Sequence, residues 1–218
     1  MGEVAGLLAH QLNQPLAAIR ALGEASLAKL KSNQPDLDWV CGNIEDLVGQ
    51  TERAAQVIRE LRTFLTRQSH KKSTMNLNSI VQSACQLTLT SSSNIFLEQD
   101  LAGHLPLIHL RPVQVEQVIV CLLQNAIEEL AEGNIEDKMI RISTVLKGKE
   151  ALVTIQDNGR GVSAEIAQTI FAPLFTTKKN GIGLGLSISR SIIEEHGGRI
   201  WAEPGSNGIF RFTLPLPK

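Results

Sequence analysis

An α+β fold in two parts, an N-terminal helical hairpin followed by an α/β sandwich, is predicted by three features of this 218-residue sequence. Apolar residues recur by threes and fours through the first 65 positions, as one face of a helix does. A polar stretch, Ser69-His70-Lys71-Lys72-Ser73-Thr74, then breaks that period. Beyond it, short β-rich runs alternate with helical segments but lack the strict strand-helix repeat of a doubly wound fold, which suggests helices on one face of a mixed sheet. The expected organisation is a hairpin over 1–69, a linker over 70–75 and a globular domain over 76–218.

The first helix is read from Val4, Leu8, Leu12, Pro15, Ile19, Leu22, Leu27 and Leu30. Asn33-Gln34-Pro35-Asp36 supplies a turn. Val40, Ile44, Leu47, Thr51, Ala54, Ile58, Leu61 and Leu65 then repeat in the four-three alternation of a bundle seam. Two helices alone leave such stripes partly uncovered, so the pattern predicts a homodimer whose hairpins form a four-helix bundle. The alternative is a hairpin packed against its own C-terminal domain.

In the second half, strands are expected near Ile95–Leu97, Leu107–Leu110, Ile140–Leu146, Leu152–Gln156, Arg199–Glu203 and Ile209–Leu214. Helices are expected over Leu77–Leu89, Pro112–Ala131 and Leu184–Glu195, the second opened by a proline at a first-turn position where its missing amide costs nothing.

Bulk properties exclude several classes. Net charge is −1 with both signs scattered, so no basic field points to nucleic acid or an anionic membrane surface. Cys41, Cys85 and Cys121 are odd in number and lack metal-ligand spacing, which fits a reducing, cytoplasmic compartment. Runs such as Val118–Leu123 fall far short of the ~20 residues that span a bilayer, so no membrane contact is expected in this segment. An inner-membrane anchor of a longer protein would have to lie upstream of Met1.

His10 lies about half a turn from the apolar stripe at ~100° per residue and is expected to face solvent. Pro15, inside the helix, removes an amide and frees the carbonyl of Gln11. The stripe continues in phase beyond it, favouring a kinked continuous helix over a helix end. His70, His104, His109 and His196 are isolated in sequence and are expected on the surface.

The segment Ala9-His10-Gln11-Leu12-Asn13-Gln14-Pro15-Leu16-Ala17-Ala18-Ile19 resembles the phosphoacceptor box of the sensor histidine kinases, particularly the subgroup of C4-dicarboxylate sensors. That subgroup carries a glutamate where Gln11 stands. A glutamine carbonyl still accepts the imidazole N–H and fixes the tautomer, but it brings no full charge to the developing imidazolium. The resemblance makes His10 and Gln11 the catalytic residues, and the substitution predicts a slow kinase.

Four further segments resemble the nucleotide-binding boxes of the same family. Gln117–Ala126 is similar to the helix whose asparagine, here Asn125, ligates Mg²⁺ through oxygen. Asp157-Asn158-Gly159-Arg160-Gly161 resembles the turn whose acid accepts a hydrogen bond from the adenine amine, with Gly159 and Gly161 admitting the base. Phe171-Ala172-Pro173-Leu174-Phe175-Thr176-Thr177-Lys178 resembles a lid, with aromatic anchors and Lys178 set for phosphate charge. Gly181-Ile182-Gly183-Leu184-Gly185-Leu186 opens a helix whose free amides suit phosphate. A dinucleotide fold is disfavoured because Thr176–Asn180, just upstream, is not an apolar strand. The implied nucleotide contacts are Asn125, Asp157, Gly159, Gly161, Phe175, Thr177, Lys178, Gly181, Gly183, Leu184, Gly185 and Leu186. The implied ligands are ATP and Mg²⁺, with Asn125 as the metal ligand.

The resemblance therefore implies autophosphorylation of His10 and transfer to an aspartate on a response-regulator receiver domain. Cys121 stands where the kinases usually have asparagine and the ATP-hydrolysing relatives have a water-activating glutamate. A neutral thiol is a poor general base, so direct hydrolysis is disfavoured. Together Gln11 and Cys121 leave one alternative, a catalytically weak or phosphatase-biased dimeric scaffold that senses nucleotide.

Overall fold

The computed structural model describes residues 2–32, 34–65, 72–89, 94–133, 135–178 and 183–217, and the side chains of 2–11, 56–57 and 59–65 lie outside that description. The chain divides into two compact units, one of residues 1–66 with 178–182 and the other of 67–177 with 183–218.

The first unit is a hairpin of α1 (Gly2–Leu30) and α2 (Leu37–Leu65). Pro15 sits within α1, which runs unbroken past it. Asp36 caps α2, its carboxylate accepting from the Trp39 amide at 3.1 Å, a use of an N-terminal orphan donor that also places negative charge at the positive end of the helix. Among the described seam positions Val40 and Ala54 are buried, while Ile44 and Ile58 are half exposed at 49% and 52%.

The second unit contains β1 (Ser73–Met75), α3 (Leu77–Leu89), β2 (Phe96–Leu101), β3 (Ile108–Leu110), α4 (Pro112–Glu132), β4 (Met139–Lys147), β5 (Glu150–Asp157), α5 (Ala164–Thr169), α6 (Gly185–Glu195), β6 (Arg199–Glu203) and β7 (Gly208–Pro215). Five strands form a mixed sheet ordered β2-β4-β5-β7-β6, with β2 parallel to β4 and the other pairs antiparallel. β1 and β3 form a separate antiparallel ribbon. The polar stretch expected as linker thus contributes a strand, Ser73–Met75.

Alternation sets which face is covered. Ala151, Val153, Ile155 and Asp157 of β5 are buried, whereas Leu152, Thr154 and Gln156 between them are only partly so, as the period of two in a one-sided sheet requires. Over the covered face lie α3, α4 and α6. α4 alone buries Val115, Val118, Ile119, Leu122, Leu123, Ala126 and Leu130, and full burial of such a side chain stabilises by about 1.5–3 kcal/mol. Asn78 at the start of α3 donates to Ala102 O at 2.8 Å and accepts from Thr144 Oγ1 at 2.8 Å, a satisfied polar tie between that helix and the edge of the sheet.

His196 departs from its expected surface position. It caps the C-terminus of α6 and is 9% exposed. Its Nε2 accepts from the Arg111 amide at 3.0 Å, and its Nδ1 lies 2.7 Å from Ile192 O. With Nε2 an acceptor, Nδ1 carries the proton and the ring is neutral. Burial lowers its pKa from the ordinary 6.5, against the raising effect of the Ile192 carbonyl. The ring joins the end of α6 to the start of α4, a contact between residues 85 apart in sequence. Among the described residues no helix is long and apolar enough to cross a membrane.

Candidate nucleotide site

Asp157 ends β5 on the helix-covered face and is 3% exposed. Its Oδ1 accepts from the Gly159 amide at 2.9 Å. Burial raises its pKa above the ordinary carboxylate value, the Gly159 and Gly208 amides lower it, and the nearby charge of Glu129 raises it again. A buried carboxyl with two oxygens and only short backbone partners has lone pairs left for an incoming N–H donor.

Glycine around it is a matter of space. A Cβ on Gly159 would stand 2.7 Å from both Asp157 Oδ1 and Glu129 Cγ, and one on Gly208 would collide with the same carboxylate. Gly161 has φ +76° and lies against the backbone of Gly205 and Ser206, where an L side chain would be strained as well as crowded. Asn158 points the other way, accepting from the Met139 amide at 2.9 Å and donating to Asp137 O at 2.6 Å. The Asp-Asn-Gly-Arg-Gly run is thus a turn whose acid faces the core and whose asparagine is used in fastening.

Asn125 lies in α4, half buried, with Nδ2 3.9 Å from Cys121 Sγ one turn earlier. Gly185, the first residue of α6, approaches the same sulfur so closely that a Cβ there would stand 2.9 Å from it. Cys121, Asn125 and the N-terminus of α6 therefore meet at one place. Leu184 is buried at the N-cap and Leu186 is half buried.

Upstream, Phe171 is buried edge-on to Phe210, with centroids 6.3 Å apart and rings at 76°, a favourable quadrupole arrangement. Phe175 is half buried and Thr177 exposed, while Lys178 is half buried and engaged with other groups. Leu174 takes φ +67°, and its amide donates to Gly183 O at 2.9 Å. Gly183 itself has φ +72° and packs against the backbone of Leu174 and Phe175. Gly181 lies outside the described residues. His10 and Gln11 lie in α1, and their side chains fall outside the description too.

Two clusters of predicted residues thus line α4. Asn125, with Cys121 and Gly185, marks one end. Glu129, four residues and ~6 Å further along the axis, meets Gly159 and Asp157 at the other. Sequence reading missed Glu129: its Oε1 accepts from Arg160 Nε at 2.7 Å and its Oε2 from Arg160 Nη2 at 3.3 Å. The two residues are 31 apart, and nothing local marks them as partners. Among the described residues no cluster of three His, Cys, Asp or Glu side chains could hold a metal. A cation would rest on Asn125 oxygen and on oxygens of a bound phosphate, a donor set that fits Mg²⁺.

Residues 111–218 match a family described as histidine kinase-, DNA gyrase B- and HSP90-like ATPase. Across 99% of its length the chain is 39% identical to the sensor protein FixL of Bradyrhizobium diazoefficiens, covering 43% of that protein. It is 31% identical over its whole length to the C4-dicarboxylate transport sensor protein DctS of Rhodobacter capsulatus, covering 34% of it. The chain therefore spans well under half the length of these curated relatives. Among solved structures, the catalytic domain of histidine kinase ThkA aligns with TM-score 0.60 and 31% identity, over 66% of this chain and 95% of that one. ThkA in complex with the response regulator TrrA aligns with TM-score 0.75 over 99% of this chain and 62% of that one, at 24% identity, a likeness of fold.

Proposed function

Since the chain belongs to the sensor histidine kinases, we propose that it binds Mg·ATP in its second unit, transfers the γ-phosphoryl group to His10 and passes it to an aspartate of a response-regulator receiver domain. The observation that carries this reading is Asp157: a buried carboxylate at a strand end, hedged by positions that only glycine can fill, within the stretch that matches the ATPase family. That environment suits a flat base presenting an amine.

In this reading Asp157 accepts from the adenine amine, while Gly159 and Gly161 leave room for the ring. Asn125 supplies an oxygen to Mg²⁺, which when bound neutralises phosphate charge. Thr177, Lys178, Gly181, Gly183 and Gly185 surround the phosphates with donors, the amides at the start of α6 adding the positive end of its dipole. Phe175, Leu184 and Leu186 close the apolar side. His10 attacks phosphorus through one ring nitrogen, and Gln11 holds the proton on the other. Because the nucleotide's charge is met by preplaced groups, positioning and neutralisation supply most of the catalysis.

The apolar residues left bare on the hairpin support homodimerisation, and the ThkA complex supports a receiver-domain partner for this chain. Incubation with γ-labelled ATP and Mg²⁺ tests the whole proposal. Acid-labile, base-stable label that disappears in His10→Ala is expected; ATP binding without label on His10 would instead favour the nucleotide-sensing scaffold.

A further inference from the structure

We infer that the Glu129–Arg160 pair is a positioning device that clamps the Asp157–Gly161 turn onto α4 and so sets how sharply the site reads the base of its nucleotide. The inference rests on the nucleotide reading above and deepens it.

Glu129 makes three kinds of contact with that turn. Its carboxylate takes the Arg160 guanidinium side-on, at 2.7 and 3.3 Å, a paired geometry that fixes orientation as well as distance. The same Oε1 lies 3.4 Å from the Arg160 backbone amide, so the chain itself is held, not the side chain alone. Its methylene stem fills the place where Gly159 would carry a Cβ. Glu132, a further turn's edge along α4, adds an acceptor 3.5 Å from Arg160 Nη2.

The turn is fastened elsewhere too: Asp157 pairs with Gly208 across the sheet, and the Asn158 amide donates to Met139 O at 3.3 Å. Gly159 N to Asp157 Oδ1 shapes it from within, and Asn158 ties its outer side to Met139 and Asp137. None of these bonds reaches α4. Glu129 does, and it stands on the same helix as Asn125, one turn away. Beside the packing of α4 on the sheet, this carboxylate therefore ties the acid proposed for the base to the helix that carries the asparagine proposed for the metal. Glu129 touches neither nucleotide nor reacting atoms in this scheme. Its effect passes through Asp157, whose amine-accepting oxygens must be within a few tenths of an ångström of their place to favour adenine over guanine, which presents a carbonyl at that position.

The charged groups around Asp157 also give the clamp a readout that simple loosening would not produce. Glu129 of α4 is the charge that acts on Asp157, and Glu129 is itself paired with Arg160, which also meets Glu132. The ionised acid accepts the amine hydrogen more strongly than the protonated one, so affinity falls on the acid side. Glu129→Gln removes a negative neighbour and should move that acid limb to lower pH; Arg160→Gln leaves Glu129 uncompensated and should move it to higher pH.

The test is equilibrium binding of ATP and GTP, with Mg²⁺, to the full chain and to both variants from pH 5 to 8. Both variants should lower the ATP-to-GTP affinity ratio by roughly three- to tenfold, with acid limbs displaced in opposite directions. Circular dichroism melts confirm folding; Glu129→Gln conserves the shape of the side chain it replaces, and Arg160→Gln shortens an exposed one. Unchanged ratios and limbs in both variants would overturn the clamp while leaving the site standing. Failure of the unmodified chain to prefer ATP would overturn the site itself.

Discussion

The two units stand in contrast in how they use their apolar residues. In the second, Phe212, Leu122, Leu130, Ile142 and Leu214 are wholly buried in one core, although Phe96, Met139 and Val145 of its strands stand exposed. In the hairpin, Leu27, Leu30, Leu37, Trp39, Ile44, Val48 and Ile58 are 44–63% exposed. A side chain left at that level forfeits much of the stabilisation burial brings. The sheet unit has the makings of a self-sufficient core; the hairpin has half of one.

The sharpest way to break that contrast is in the core of the sheet unit. Phe212→Ala should cost about 3–5 kcal/mol in denaturant unfolding, the transfer loss plus a cavity, and a loss below about 1.5 kcal/mol would mean the core is less dense than described. In the hairpin, Ile44→Lys should leave the unfolding of the sheet unit unchanged. It should weaken the proposed dimer by about 2 kcal/mol, some 30-fold, as a charge enters the seam, read by sedimentation across a dilution series. A dimer constant that does not move would return the hairpin to the alternative of packing without a second copy.

Smaller effects sharpen the picture. His196→Ala removes the acceptor for the Arg111 amide and should destabilise the sheet unit by about 1–2 kcal/mol at pH 8. Because burial depresses the folded-state pKa of His196 below 6.5, the stabilisation given by the neutral ring is complete above that value and is lost as pH falls below it. The gap between wild type and variant should therefore narrow toward pH 5 in thermal melts, and a gap that widens there would contradict the neutral assignment. Least in size, Gln11→Glu should raise the autophosphorylation rate about threefold, or ~0.6 kcal/mol, as a charged acceptor replaces a neutral one beside the imidazole. An equal or lower rate would remove Gln11 as the cause of any slowness.

Periodicity made much of this fold legible. α3 over Leu77–Leu89 and β6 over Arg199–Glu203 match their expected bounds, because each carries a complete apolar face of its own period. β1 was not legible: Ser73–Met75 is a strand only by pairing with Ile108–Leu110, and three mostly polar residues give no local sign of it. α5 gives no local sign for a related reason. Ser163 caps it, accepting from Ile166 N at 3.3 Å, but none of its residues is buried, so no stripe announces it.

The candidate site divides the same way. Asp157 and its glycines, Asn125 and the Gly183–Leu186 helix start were recognisable as residue types in a familiar order. The fastening was not, since Glu129 meets Arg160 and His196 meets Arg111 only through tertiary structure. An isolated histidine carries no mark of whether a distant amide will claim it. The burial of His196 comes from α4 starting where α6 ends.

Leu174 has a consequence of its own. Among the described residues it alone combines a side chain with a left-handed backbone, φ +67°, a conformation that costs an L residue about 1–2 kcal/mol. Its amide donates to Gly183 O. Gly183, itself left-handed and pressed on the backbone of Leu174 and Phe175, has no room for a side chain, so the strained leucine depends on a neighbour that must stay glycine.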